Sequence, residues 1–319
     1  MKSDTKVGIL IPRLHLDDAA GNDARGMMAS LRNAGYNVEI FAGGGEAMHR
    51  RWKEITGFLT EKDILLYHYA IAWDDVFEFY KCFKGKKILR FHNITPPEYF
   101  EHWNRDVAGA CRKGRMVLSE YLRFTDLLMG VSHYNNEEAL SLYGEKLNTC
   151  VVPPFHRSEE LQNQPFDKRL LKNLLKNRNF ITVGRIAPNK GYEDVIRAFL
   201  FAKSKGLPGN LYLIGGAGQE LFSYQRHLQS IMNNDHYAQS VTFTGKINFS
   251  QLKTYYIASD LLLCGSHHEG FYVPAVEAMS LGLPVIARKA AALPETLGEY
   301  GSLIEPVNFV EQLSTSFMN

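Results

Sequence analysis

Short apolar runs punctuate this chain, and between most of them lie longer stretches with helical spacing. Val7–Ile11, Asn37–Phe41, Ile64–Tyr67, Lys87–Phe91, Leu127–Val131 and Thr149–Val152 form the series in the first half. Asn179–Gly184, Asp260–Cys264 and a last run near Gly301–Ile304 continue it. Largely continuous apolar runs predict strands covered on both faces, the environment of a parallel sheet with helical crossovers. The rhythm stops at Pro153-Pro154 and the polar run Arg157–Gln164, which reads as a linker. The pattern therefore predicts an α/β protein of two doubly wound domains, residues 1–154 and residues 155–319.

Candidate chemistry sits where predicted strands end. After Asp260–Cys264 the chain turns through Gly265, Ser266 and Gly270 into a helix with Pro274 in its first turn. Glu269 lies in that loop and Glu277 on that helix, and carboxylates accept paired hydrogen bonds from the neighbouring hydroxyls of a sugar. Backbone N–H groups of Phe271, Tyr272 and Val273, at the helix start, can face a phosphate. The strand Asn179–Gly184 runs into Arg185 and Lys190 and then a helix from Tyr192 to Lys203. A planar guanidinium and a compact ammonium there suit a pyrophosphate. Singly, each of these is an ordinary surface residue; at neighbouring strand ends they suit a sugar nucleotide.

VGRIAPNKG, LYLIGGAG (211–218), VTFTGK (241–246), HEGFYVPAVEAM (268–279) and GLPVIA (282–287) occur in that order. Over roughly residues 179–305 the chain resembles the retaining glycosyltransferases of family four. The resemblance implies a GT-B fold, two Rossmann-like domains facing across a cleft, the second holding most of a nucleoside diphosphate sugar. It implies that Arg185 and Lys190 meet the donor diphosphate, that Glu277 binds ribose, and that Glu269 faces the transferred sugar. It also implies that Gly215 and Gly216 form a turn near the nucleotide, with the base resting on backbone around Lys246 and Ile247. No cofactor or metal is expected beyond the donor itself. A saccharide or lipid-linked acceptor, in bacterial surface polysaccharide assembly, is the implied partner. The helices that usually follow the last strand look shortened to Phe309–Phe317.

In the first domain, Arg90-Phe-His92-Asn93-Ile-Thr95-Pro-Pro97 ends a strand at a histidine, and His92 matches the family's histidine beside the transferred sugar. His68, Asn93 and Thr95 are candidates for the acceptor side. The loop after the first strand carries Asp17, Asp18 and Asp23, with Gly21 as its donor-phosphate candidate. Gly43-Gly44-Gly45 reads as a connection. His267 and His268 are not a metal pair, because adjacent side chains diverge and no third ligand is evident.

Composition narrows the rest. Net charge is +2, from 36 basic and 34 acidic residues, so nucleic acid is not an expected partner. Cys82, Cys111, Cys150 and Cys264 have no metal spacing and read as reduced. No apolar run reaches the ~20 residues that span a bilayer, and no secretory signal opens the sequence, so a cytoplasmic location is expected. Residues 81–123 hold ten basic residues against four acids, interleaved with Phe100, Trp103, Met116, Leu118, Tyr121 and Phe124. Such a stretch could dock on an anionic membrane or be an ordinary helical pair with solvated charges. Two rival functions remain: a sugar-nucleotide epimerase of the same fold, over which the two-glutamate motif and VGRIAPNKG favour a transferase, and a non-catalytic nucleotide-sugar binder. A dinucleotide enzyme fits less well, since Gly216-Ala-Gly218-Gln-Glu-Leu221 lacks the third glycine.

Overall fold

The computed structural model describes residues 4–15, 18–45, 49–233 and 235–317, so Asp17 lies outside the described residues. The chain forms two compact units. One comprises residues 1–97 and 108–157, the other residues 98–107 and 158–319. The short segment 98–107 thus packs with the second unit although it precedes the linker.

The first unit is built on β1 (Lys6–Ile11), β2 (Asn37–Ala42), β3 (Arg50–Arg51), β4 (Ile64–Tyr69), β5 (Lys86–Phe91), β6 (Leu127–Gly130) and β7 (Thr149–Val151). They form a wholly parallel sheet in the order β3-β2-β1-β4-β5-β6-β7. Alternate residues of each strand face opposite layers. Val7, Ile9 and Ile11 of β1 join Ala24 and Met27 of the helix Ala19–Asn33 in one core, while Leu10 joins Leu65, Tyr67, Leu89 and Phe91 in the other. His68 in β4, Arg90 in β5 and His92 just beyond it therefore fall on the face covered by the helix Ala19–Asn33. Register brings His68 opposite Arg90.

The second unit carries β8 (Asn179–Val183), β9 (Asn210–Ile214), β10 (Val241–Gly245), β11 (Leu261–Cys264), β12 (Val285–Arg288) and β13 (Ser302–Ile304), again parallel, in the order β10-β9-β8-β11-β12-β13. The helices Tyr192–Ser204, Phe222–Asn233 and Phe309–Ser316 bury Val195, Phe199, Leu228 and Leu313 on one face. The other face is covered by the helices Phe249–Ile257, Val273–Ser280 and Leu293–Leu297. Phe317 packs edge-on against Phe180 and Phe199, at 5.0 and 5.9 Å between ring centres. Such pairs contribute about 0.5–1.5 kcal/mol each beyond their burial.

Both sheets share one consequence of their strand order. The chain winds outward one way from β1 and from β8, then returns to the centre and winds the other way from β4 and from β11. Crossovers leave the sheet on opposite faces there, opening a crevice at the carboxyl ends of the two central strands.

Much of the stretch 81–123 is core or carries paired charge. Phe100, Leu118 and Tyr121 are core residues, and Trp103 packs on Tyr224 and His227; among the six interleaved apolar side chains, Met116 is the one with most of its surface exposed. Lys81, Lys86, Lys113 and Arg115 are paired with Glu78, Asp126, Asp74 and Glu138. Arg90 is wholly buried. No helix among the described residues is long and apolar enough to cross a membrane.

Candidate functional site

In the second unit the loops after β8 and β11 leave the switch point and meet. Gly191 has φ +64°, and a Cβ there would lie 2.0 Å from the carbonyl oxygen of Gly265, so only glycine lets the two loops close. Asn189 ties them: its carbonyl oxygen accepts from the His267 N–H at 2.8 Å, and its side-chain amide donates to the His268 carbonyl at 3.1 Å. The outcome is a compact polar cluster. Lys190 Nζ donates to Glu269 Oε1 at 2.6 Å, and the Ser266 hydroxyl donates to the same oxygen at 2.8 Å. Oε2 of Glu269 is left without a partner among the described residues. Lys190 keeps 22% of its side chain exposed and Glu269 only 7%.

Tyr272 precedes the helix Val273–Ser280, with Pro274 at its start, and the Tyr272 hydroxyl donates to the Val183 carbonyl at 2.8 Å, pinning the helix start to the end of β8. Phe271 and Val273 on either side are half-buried. Glu277, one turn in, is buried and accepts a 2.7 Å hydrogen bond from Tyr256 on its Oε2. Burial first, and then the charge of Glu277, push the Tyr256 hydroxyl well above its usual range, so it is a permanent donor. Beneath the cluster, burial and the Glu269 charge push the Cys264 thiol up to about 12, which rules it out as a nucleophile. All four cysteines are free thiols.

Three neighbouring loops are stitched by backbone bonds from Gly184 to Ile214, Ile186 to Gly216 and Gly215 to Gly245. Gly215 sits at φ +134°, where a Cβ would meet the Gly184 carbonyl at 2.0 Å. The structure thus brings Gly215 and Gly216 beside the β8 loop, with Lys246 exposed and Ile247 half-buried against the core. Arg185 is 55% exposed, 3.9 Å from Glu220, and stands apart from the Lys190 cluster's hydrogen bonds.

The first unit holds a second constellation. Asp23, on the helix Ala19–Asn33, accepts from Arg90 Nε at 2.8 Å and Nη2 at 3.3 Å, and from the Phe155 N–H at 2.8 Å. Arg90 Nη1 also donates to the carbonyls of Gly130 and Val152. His68 Nδ1 and His92 Nε2 lie 2.8 Å apart, 3.8 and 3.6 Å from Asp23 Oδ2. Burial lowers both imidazoles; the neighbouring charges are secondary, and His92 falls to about 4. Both rings are neutral at pH 7.

Two expectations change here. His68 is fully buried inside β4, so it offers no surface to an acceptor and stands behind His92 instead. Gly21 is the third residue of a helix, its N–H already engaged by the Asp18 carboxylate at 2.5 Å, and a Cβ would strike the His15 carbonyl; its smallness serves packing. Thr95 is half-buried. Asn93 adopts φ +74° and donates to Asn135 Oδ1.

Asp23, His68 and His92 also form the one three-residue group among the described residues with spacing suited to a metal ion. The donor set does not fit one. Both oxygens of Asp23 are engaged, and the buried Arg90 guanidinium would repel a dication at bonding distance. His267, for its part, pairs with Asp194 at 3.3 Å.

Sequence reading gave no site role to Asp23, Arg90, Ser266, Tyr256 and Asn189. Arg90 had a signal, since it lies two residues before His92 and must share its face. Asp23 and Tyr256 had none, because their partners lie 67 and 21 positions away.

Residues 163–317 match the family model described as Glycosyl transferases group 1. An O-antigen chain mannosyltransferase B of Escherichia coli is 24% identical over 241 residues, 73% of this chain and 60% of the relative. A GDP-mannose-dependent alpha-(1-6)-phosphatidylinositol monomannoside mannosyltransferase of Mycobacterium tuberculosis is 24% identical over 193 residues, 57% of this chain and 49% of the relative. The chain thus spans about half to three fifths of the length of these two curated relatives. The crystal structure of Anabaena HepE in complex with UDP and glucose aligns with a TM-score of 0.71 at 17% identity, covering 98% of this chain and 89% of that one. The likeness to the glycosyl transferases group 1 family thus rests on residues 163–317, and the two parallel sheets with interleaved helices are an α/β GT-B fold.

Proposed function

We propose that this chain is a metal-independent retaining glycosyltransferase of family four, moving a hexosyl unit from a UDP- or GDP-linked sugar to a saccharide or lipid-linked acceptor in bacterial surface polysaccharide assembly. The observation that carries the reading is the Lys190–Glu269–Ser266 cluster at the switch point of the second sheet, on a loop whose next helix presents Glu277. Arg185 and Lys190 neutralise the charge that grows on the departing diphosphate. Glu277, positioned by the Tyr256 hydroxyl, binds the ribose hydroxyls, and the helix start at Phe271–Val273 offers N–H groups to phosphate. The free Oε2 of Glu269 accepts from the transferred sugar, and His92 acts on that sugar from the first unit. The bond from the anomeric carbon to the diphosphate oxygen breaks, and the acceptor oxygen bonds to that carbon on the same face. The acceptor's proton passes to the leaving phosphate.

The test is protection from thermal unfolding across UDP-, GDP- and ADP-sugars, followed by turnover with and without acceptor. One donor class should protect the protein, and Lys190→Ala should cut its turnover roughly 10²–10³-fold, the usual effect of removing one charge-stabilising group. Consumption of the donor without acceptor would point to an epimerase, and protection without turnover to a binding protein. A cytoplasmic location with peripheral attachment belongs to the same reading and rests on the exposed Lys84, Arg112, Arg123 and Met116. Co-sedimentation with liposomes that ignores anionic lipid and salt would end that part.

A further inference from the structure

We propose that His68 is a positioning residue that locks His92 as its Nδ1–H tautomer, so that His92 presents a hydrogen-bond donor, and not a base, to the transferred sugar. The second half of this statement rests on the function proposed above; the first half does not.

The 2.8 Å contact between His68 Nδ1 and His92 Nε2 needs one proton between two neutral rings. If His92 Nε2–H is the donor, His68 must carry its own proton on Nε2. That atom is buried and has no hydrogen-bond partner. An orphaned buried N–H is rarer in proteins than an under-used acceptor, and leaving it unpaired forfeits about 1–3 kcal/mol. If instead His68 Nδ1–H donates, the orphan is a bare lone pair, and the proton of His92 is left on Nδ1. Asp23 does not decide between the two, since its Oδ2 is nearly equidistant from both nitrogens. A doubly protonated ring is excluded near neutral pH by burial, with Arg90 beside the pair adding to it.

Geometry then divides the two edges of His92. The Nε2 edge faces His68 and Asp23, and the rings stack with centres 4.9 Å apart. His92 keeps 9% of its side chain exposed where His68 keeps none, and Nδ1 has no partner among the described residues. A ligand therefore meets Nδ1–H. The only lone pair of His92 is turned inward onto His68, so His92 does not take the acceptor's proton, which agrees with its transfer to the leaving phosphate.

Long-range 1H–15N NMR of the full chain with 15N-labelled histidine distinguishes the tautomers among its 11 histidines at pH 7. His68→Leu and His68→Asn supply assignment and test. The wild type should show both rings protonated on Nδ1. His68→Leu frees Nε2 of His92 to protonate and donate to Asp23, so the Nε2–H pattern should appear and kcat fall about tenfold, the worth of one hydrogen bond. His68→Asn keeps an amide donor near the place of Nδ1 and should restore the Nδ1–H pattern and most of kcat. An Nε2–H pattern for His92 in the wild type, or an unchanged Nδ1–H pattern in folded His68→Leu, overturns the proposal. The spectra decide this even if no nucleotide sugar is turned over, a result that would overturn only the proposed function.

Discussion

Asp23→Ala strips the buried Arg90 of its counter-charge, and the cost follows from the contacts it removes. Both residues are wholly buried, and the carboxylate accepts two bonds from the guanidinium and one from the Phe155 N–H. The carbonyls of Gly130 and Val152 remain for Arg90, but they leave a full charge in an apolar layer with Ile9, Ala24, Met27 and Leu66. Removing one partner of a buried ion pair costs about 3–5 kcal/mol. At roughly 2–4 °C per kcal/mol for a domain of this size, melting of the first unit should fall by roughly 6–20 °C. Trp52 and Trp73 lie in the first unit and Trp103 in the second, so urea unfolding of a Trp103→Phe background, followed by fluorescence, isolates the first unit. The double variant Asp23→Leu, Arg90→Met removes both charges and should recover at least half of the loss. The reasoning fails if Asp23→Ala costs under about 1 kcal/mol, or if the double variant is no more stable than the single one.

Folded His92 titrates at about 4, below the usual value of about 6.5, so the unfolded chain binds more protons between those values. Its contribution is complete above about pH 6.5 and is lost as pH falls toward about 4; urea midpoints should show a loss of about 3 kcal/mol over that range, flattened in His92→Phe. His68 is lowered too and acts in the same direction, whereas Asp63, Asp126, Glu193 and Asp194 have lowered values and act at still lower pH. Gly191→Ala places a Cβ against the Gly265 carbonyl at a left-handed φ and should destabilise the second unit by roughly 1–3 kcal/mol, seen by calorimetry, with nucleotide-sugar protection lost as well. Tyr256→Phe removes the hydroxyl held by Glu277 and should weaken donor affinity about tenfold with little change in kcat, read from the KM for the donor.

Most of the parallel strands were legible because they are apolar runs with turn residues at their ends, and observed bounds differ from the expected ones by only a residue or two in the six runs of the first half, whereas β9, β10 and β12 were noticed only as motifs and not as strands. The two-residue β3 was not, since Arg50–Arg51 has no apolar face to declare itself. Lys190 and Glu269 were legible as chemistry from their motifs, but not as an ion pair, since 79 positions separate them. The aromatic and basic stretch 81–123 was ambiguous for a general reason: composition cannot tell a docking face from a core whose charges are paired outside it.

By itself the sequence determined the α/β class, the strand ends and the residue types that gather at them, because local spacing and apolar patterning act over a few residues. Tertiary structure alone decided which of those residues touch. It buried His68 behind His92, set Asp23 against Arg90 and gave Glu277 the hydroxyl of Tyr256, because strand order and register bring together positions far apart in the chain.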